Sequence, residues 1–166
     1  YLTELRGHSL AVISVDSETG IIDDYSNRCG VAKDFCIAAP GGNVVVAYAT
    51  SSIDTGLYKS ADSCVSDNSC YAVGGGTSYA APFVSGGLAL LAQHFDNQLG
   101  NTEILQRILV TADKTGIYSD ASIYGQGLMD LNAASKPIGA TLIATTMSLE
   151  DKMYSTLSSS MNQIGY

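Results

Sequence analysis

The sequence has few basic residues and no long apolar run. Eight Lys and Arg residues stand against sixteen Asp and Glu, giving a net charge of −8. A nucleic-acid partner is excluded, because binding nucleic acid needs clustered basic residues and these eight are scattered. No apolar run reaches the roughly 18 residues that span a bilayer, so the sequence predicts no membrane helix.

The sequence has a low fraction of charged residues. It also begins without a methionine or a signal-peptide pattern. Hydrophobic residues make up 46 % of the 166 residues and charged residues 14 %, which is typical of a globular chain. This length allows one domain with a buried core. The chain starts at Tyr1, so we expect that a leader was removed or that the chain is part of a longer polypeptide.

Four cysteines, Cys29, Cys36, Cys64 and Cys70, permit three disulfide connectivities. Short loops favour Cys29–Cys36 and Cys64–Cys70, and each bond would contribute about 2.5 kcal/mol. No metal site is expected, because the usual zinc-ligand spacing and a nearby histidine are missing. Free buried thiols are the other alternative. Disulfides would indicate an oxidising compartment.

Apolar patterning predicts the order of the elements. We expect strands over residues 10–16, 35–42 and 43–50, and helices over 78–95, 101–113 and from about 130 to 137. Residues 51–75 predict a surface loop tied by Cys64 and Cys70. Asn101 or Thr102 is expected to cap the second long helix. Residues 138–166 have weak apolar spacing and predict a linker or a marginal helix.

Ser78 stands directly after a glycine run, at the start of an apolar helix. The free N–H groups of a first helical turn carry positive partial charge and can hold an oxyanion. Gly74 to Gly76 would let a substrate chain approach, and Pro82 is expected to be tolerated this early in the helix. A serine in this position is more often only a cap, so position alone leaves both interpretations open.

The run "GGGTSYAAPFVSGG" resembles the nucleophile motif of the subtilases, the subtilisin-like serine proteases, G-T-S-x-A-x-P-x-V-x-G. Every fixed position is met, by Gly76, Thr77, Ser78, Ala80, Pro82, Val84 and Gly86. Phe83 stands where the family usually has a histidine that is not part of the triad. The resemblance implies that Ser78 is the nucleophile, that its backbone N–H is an oxyanion-hole donor, and that the substrate is a protein or peptide.

Flanking segments extend this resemblance over about residues 1 to 136. "LAVISVD", "YSNRCGVAKDFCIAAPGGNVVVAYA" and "YGQGLMDLNAA" are similar to a family strand, the S-N-x-G…A-P-G segment and the G-x-G-x-[VIL]-[DN] helix entry. We therefore expect an α/β fold, the C-terminal part of a subtilisin-like parallel-sheet domain with a central helix starting at Ser78. Residues 1–136 would form that domain portion, and residues 137–166 a linker or the start of a following segment.

A narrower resemblance concerns "ELRGHSLAVISVD", "NRCGVAKDFCIAAPGG" and "KPIGATLIATT". Together they are similar to the subtilase passengers of bacterial autotransporters, in which the protease continues into a linker and an outer-membrane barrel. The resemblance implies secretion or a bacterial cell-surface location, with a membrane tether through a C-terminal barrel that is not in this chain.

The chain lacks the histidine base and the aspartate that Ser78 would need as a catalytic serine. In the subtilase family these triad residues precede the serine in the sequence, in the order Asp, His, Ser. His8 precedes Ser78 without an aspartate before it, and His94 follows sixteen residues later, about 24 Å along a helix. Asn27 matches the S-N-x-G turn and not the oxyanion asparagine. We expect the triad Asp and His to come from sequence outside this chain and the isolated chain to be inactive. It should also expose a sheet edge and an apolar helix face.

The predicted chemistry requires no cofactor. Structural calcium, which many subtilases bind, would need carboxylate ligands, but Asp16, Asp23, Asp24 and Asp54 show no EF-hand spacing. Solvated loop carboxylates are the default interpretation of these residues.

Two other functions compete with a subtilase. An α/β-hydrolase esterase needs G-x-S-x-G, but Ala80 occupies the last position, and no acid and histidine follow in the required order. A non-catalytic pseudoprotease or surface adhesion module would keep the motif as a scaffold. Nothing after Ser78 distinguishes that module from a protease, whereas a triad Asp and His upstream would.

Overall fold

The computed structural model describes residues 7–48, 59–60, 70–96, 98–138, 142–146 and 152–156. The strands are β1 Ala11–Asp16, β2 Cys36–Gly42, β3 Val44–Tyr48, β4 Lys59–Ser60, β5 Cys70–Gly74, β6 Leu142–Thr146 and β7 Lys152–Thr156. The α-helices are α1 Thr77–His94, α2 Asn101–Val110, α3 Ala121–Tyr124 and α4 Leu131–Ala134. Short 3-10 helices cover Gly30–Phe35 and Gly116–Ser119. In these ranges no helix combines the length and hydropathy needed to cross a membrane.

Strands β1 and β2 form the parallel pair at the centre of the fold, with Ala11 opposite Cys36 and Ile13 opposite Ala38. Both strands are continuous apolar runs and do not alternate between apolar and polar residues. This pattern is typical of parallel strands that are buried on both faces. The predicted strands over residues 10–16 and 35–42 are confirmed.

Successive residues of β2 point to opposite faces, and each face carries its own core. Ile37 and Ala39 pack with α1 and α2 in a cluster completed by Ala80, Val84, Leu91, Leu99, Ile104, Ile108, Ala112 and Ala134. Cys36 and Ala38 face a second cluster with Ile13, Val15, Cys29 and Tyr124. The β1–β2 pair is therefore a layer between two sets of helical elements, an α/β arrangement.

Strand β3 follows β2 after one residue and pairs antiparallel with β5, in a small sheet of order β3-β5-β4. Val44 lies opposite Gly74, so β5 returns the chain to the end of β2 just before α1 begins. The predicted loop over residues 51–75 is wrong at residues 59–60 and 70–74, which are strands. Residues 70–74 become a strand by pairing with β3, and residues 59–60 become one by pairing with β5.

Two helical expectations also need correction. The second long helix begins with Gly100 as its N-cap rather than Asn101 or Thr102, and the Glu103 side chain accepts the Gly100 N–H at 2.6 Å. The helix expected as one alternative for residues 138–166 is wrong, since β6 and β7 pair antiparallel there. The predicted helix start at Asp130 is confirmed, because that carboxylate accepts the Ala133 N–H and caps α4.

One face of α1 is left uncovered by the described residues. Phe83 is 46 % exposed and Leu90 is 60 % exposed, and a Cβ added at Gly86 would meet nothing within 4 Å. Large apolar side chains seven residues apart lie on one side of a helix. This is the apolar helix face that the sequence led us to expect.

Candidate functional site

The turn before α1 is fastened to the end of β2. The Gly76 N–H donates to the Gly41 carbonyl oxygen at 2.8 Å. A Cβ at Gly41 would lie 2.3 Å from Ser14 Oγ, 2.8 Å from the Gly76 oxygen and 2.9 Å from Ala80 Cβ. Glycine at position 41 is therefore what allows the strand and the helix start to approach this closely.

Ser78 is the second residue of α1 and is exposed. The N-cap residue is Gly76, and no side chain caps this end of the helix. In the part of the chain that the structure describes, neither the Ser78 hydroxyl nor the Thr77 and Ser78 N–H groups have a hydrogen-bond partner. The interpretation of Ser78 as a helix cap is therefore wrong, and its hydroxyl lies beside amide donors able to hold an anion.

Pro82 is placed deeper in α1 than the sequence led us to expect. It is the sixth residue of the helix that begins at Thr77, beyond the four positions whose N–H groups lack an intrahelical acceptor. Proline at this position removes the donor that would pair with the Ser78 carbonyl oxygen. The Ser78 carbonyl oxygen therefore has no amide donor four residues later in the helix.

A polar cluster, which we define as Ser14, Asp23 and Tyr25, lies next to the glycine turn, residues 74–76, that precedes α1. Ser14 Oγ donates to Asp23 Oδ2 at 2.5 Å and is 3.0 Å from the Tyr25 hydroxyl. The Tyr25 hydroxyl is 2.9 Å from Asp23 Oδ2 and 3.2 Å from the Gly41 oxygen. The sequence interpretation missed this cluster, although a serine within the apolar run of β1 was a signal, because a buried hydroxyl needs partners.

Burial and the neighbouring Asp23 carboxylate both change the pKa of the Tyr25 hydroxyl. Loss of solvation raises its pKa above the ordinary value of 10.0, and the Asp23 charge acts in the same direction. Hydrogen bonds from Ser14 and from the Gly76 backbone lower the same pKa in part. A pocket of about 230 Å³ opens beside these groups, with Gly42, Asn43 and Gly75 in its wall.

Neither histidine is close to Ser78. His94 is the last residue of α1, at the opposite end from Ser78, and its Nε2 lies 3.1 Å from the Ser135 carbonyl oxygen. His8 is an exposed residue ahead of β1. The described residues therefore place no imidazole at the candidate nucleophile.

Cys29 and Cys36 form a disulfide, as predicted. Cys64 lies outside the described residues, so the predicted Cys64–Cys70 bond stays a prediction. Within the described ranges no three His, Cys, Asp or Glu side chains are grouped to hold a metal ion.

Of the acidic residues considered for calcium, Asp16 and Asp23 have protein partners. Asp16 accepts hydrogen bonds from the Thr19 and Glu18 backbone and from the Thr19 hydroxyl, and Thr19 contributes most to lowering its pKa. Asp54 lies outside the described residues.

Comparison with known proteins gives consistent results. The sequence profile of the subtilase family, peptidase S8, matches residues 4–127. The chain is 34 % identical over 137 residues to Serotype-specific antigen 1 of Mannheimia haemolytica, covering 81 % of this chain and 13 % of that protein. It is 30 % identical over 115 residues to the Extracellular serine protease of Serratia marcescens, covering 66 % of this chain and 11 % of the relative.

Solved structures share the fold. Fervidolysin from Fervidobacterium pennivorans, a keratinolytic enzyme related to subtilisin, superimposes with a TM-score of 0.59 at 25 % identity over 76 % of this chain and 18 % of that chain. The MycP3 protease of the type VII (ESX-3) secretion system gives a TM-score of 0.52 at 30 % identity, covering 76 % of this chain and 31 % of that one. These matches do not support the α/β-hydrolase alternative. With the fold, the glycine turn and the matched profile in agreement, the chain belongs to the subtilase family.

Proposed function

We propose that this chain is part of a serine endopeptidase in which Ser78 is the nucleophile. The observation that carries the proposal is the exposed Ser78 hydroxyl at the start of α1, beside amides with no acceptor in the described structure. Ser78 Oγ would attack a substrate carbonyl carbon, and the Ser78 N–H would hold the resulting oxyanion. A general base would take the Ser78 proton and pass it to the amine as the scissile C–N bond breaks, and water, losing a proton to the same base, would then release the acyl group from Ser78.

The general base and its orienting carboxylate are proposed to come from sequence outside this chain. The two histidines lie elsewhere, as described, and the chain spans 13 % and 11 % of the curated relatives that it matches. The exposed face of α1 with Phe83 and Leu90 also supports further domain structure. Without a base, the Ser78 hydroxyl keeps its proton, so the isolated chain should be inactive.

Export from the cell is proposed on two grounds. One relative is named an extracellular protease, and the Cys29–Cys36 disulfide fits an oxidising compartment. The resemblance to autotransporter passengers gives the finer proposal, in which residues 137–166 lead into a linker and then to an outer-membrane barrel beyond this chain.

The proposal is tested by labelling the full-length polypeptide with a serine-directed fluorophosphonate. The parent protein should be labelled, and Ser78→Ala should not. Ser85→Ala is the matched control, because Ser85 is an exposed serine of the same helix whose hydroxyl donates to the Ala81 oxygen at 3.1 Å. Equal labelling of the parent and Ser78→Ala would remove the catalytic role.

A non-catalytic surface module is the second candidate, favoured by the 34 % identity to a protein named as a serotype-specific antigen. It would keep the motif as a scaffold. The same experiment separates the two functions, since a correctly folded full-length protein that takes no label would support the module.

A further inference from the structure

Tyr25 has an unusual combination of an exposed ring and a tethered hydroxyl. The side chain is 55 % exposed, yet its oxygen lies within 3.2 Å of three other oxygens, on Ser14, Asp23 and Gly41. An exposed aromatic side chain adds little to a core. The contacts of its hydroxyl are therefore the feature to be explained.

We propose that Tyr25 is a positioning residue for Ser78, acting through the Gly41 and Gly76 backbone. The inference rests on the proposed function, because it assigns Tyr25 a part in presenting the nucleophile.

The connection from Tyr25 to Ser78 runs through two short contacts. The Tyr25 hydroxyl approaches the Gly41 carbonyl oxygen at 3.2 Å, and the same oxygen accepts the Gly76 N–H at 2.8 Å. The Gly76 oxygen in turn accepts the Tyr79 N–H at 2.9 Å and the Ala80 N–H at 3.4 Å, which closes the first turn around Ser78. A displacement of the Gly41 oxygen would therefore reach the backbone on both sides of Ser78.

The polar cluster is rigid enough to act as a support. Ser14 is fully buried, so its hydroxyl has no water to turn toward and donates to Asp23 instead. Asp23 is held by its own backbone, whose N–H donates to the Ser14 oxygen at 3.0 Å. Gly42 adds to this restraint, since a Cβ at that position would lie 2.2 Å from Asp23 Oδ1.

Tyr25 is the residue of the polar cluster whose hydroxyl reaches the Gly41 oxygen and so connects the cluster to the glycine turn. A phenol has one proton to donate, while Asp23 Oδ2 and the Gly41 oxygen are both within reach. In the described part of the chain, neither Ser14 nor Asp23 makes a hydrogen bond to the Gly41 oxygen or to Gly76. Removal of the Tyr25 hydroxyl alone therefore deletes the hydrogen-bond contact of the cluster with the Gly41 oxygen and leaves the packing contacts of Ser14 and Asp23 in place.

Tyr25→Phe is the test, made in the full-length polypeptide. It deletes one oxygen and keeps the exposed ring. Tyr71→Phe is the matched control, because Tyr71 is 46 % exposed on β5, the strand that leads into the same glycine turn, and its hydroxyl has no partner in the described structure. The fluorophosphonate labelling rate, kcat and KM for a peptide substrate would be measured for each protein, normalised to active sites titrated by burst.

We expect Tyr25→Phe to lower the labelling rate and kcat by about 3- to 30-fold, because a small misplacement of a nucleophile is costly. KM should change by less than about twofold, since substrate contacts are intact. Tyr71→Phe should match the parent. Asp23→Ala should act in the same direction, and the double variant should be no slower than the slower single variant, because both act through one connection.

The outcomes separate this inference from the proposed function. If the parent is labelled at Ser78 and Tyr25→Phe reacts at the parent rate, or only as slowly as Tyr71→Phe, the positioning role is overturned and the nucleophile stands. If Tyr25→Phe raises KM and leaves the labelling rate and kcat unchanged, Tyr25 contacts substrate and does not position Ser78. If the parent takes no label, the proposed function fails and the inference falls with it.

Discussion

The Arg107 guanidinium lies over the Phe95 ring, 4.4 Å from its centre. Arg107 is only 5 % exposed, and its Nε donates to the Ala134 oxygen at 2.5 Å while Nη2 donates to the Lys136 oxygen. A buried cation needs such partners. Arg107 therefore ties α2 to the last residue of α4 and to the backbone just after it.

Replacement of Arg107 by Met should destabilise the protein by about 2–4 kcal/mol, because it leaves two backbone carbonyls without their charged donor. Thermal and denaturant unfolding would measure the loss. Lys136→Met is the control, since the Lys136 side chain is exposed and its carbonyl remains available to Arg107. Equal stabilities for the two variants would show that these hydrogen bonds contribute nothing.

Gly41→Ala should cost about 1–3 kcal/mol of stability and slow labelling of Ser78, because the new methyl group would overlap Ser14 Oγ and the Gly76 oxygen. Gly75→Ala, in the same turn, places its Cβ 3.3 Å from the Tyr25 hydroxyl and 3.7 Å from the Gly41 oxygen, so a smaller loss is expected. Differential scanning fluorimetry and labelling rates check both variants. A Gly41→Ala protein that equals the parent would contradict the close packing described here.

Gly86→Ala tests whether further sequence covers α1. On the described structure alone the methyl group is unopposed, and a helix glycine replaced by alanine gains about 1 kcal/mol. We expect the opposite sign in the full-length polypeptide, a loss measured by urea unfolding, because the proposed remainder of the domain packs on this face. A gain would count against the proposal of an incomplete domain.

Asp120 should contribute a pH-dependent part of the stability. Hydrogen bonds from the Ser122 hydroxyl and backbone lower its pKa below the ordinary 3.8. A lowered folded-state pKa stabilises the fold above 3.8, and this contribution is lost as the pH falls through the folded value. Asp120→Asn should flatten the acid side of the stability curve, below about pH 5, and Ser122→Ala should flatten it partly. An unchanged slope in urea titrations of both variants would refute this assignment.

The parts of the fold that were predictable have local signals. Strands β1 and β2 are covered on both faces, so each is a short continuous apolar run that the sequence displays directly. Helix α1 and Ser78 follow from a motif confined to a few consecutive residues. Strand β5 had no such signal, because "YAVG" is short and becomes a strand through pairing with β3, more than twenty residues away, and with β4.

The candidate site was predictable only at Ser78. Ser14 could be recognised as a polar residue in an apolar strand, but Asp23 and Tyr25 are separated from it by a turn whose course is not written in the local pattern. Pro82 was misjudged because the helix begins at Thr77 and Pro82 falls beyond its first turn. The cap of α2 shifted to Gly100 because Glu103 reaches back to that backbone N–H.

The Cys29–Cys36 bond has a practical consequence for producing this protein. Both sulfurs belong to the core cluster with Tyr124, and a Cβ at Gly125 would lie 2.8 Å from Cys29 Sγ. Synthesis in a reducing cytosol would leave two unbonded thiols in this closely packed core, which accommodates the disulfide. Expression hosts that direct the polypeptide to the periplasm, or strains with an oxidising cytoplasm, should therefore give the higher yield of correctly folded material.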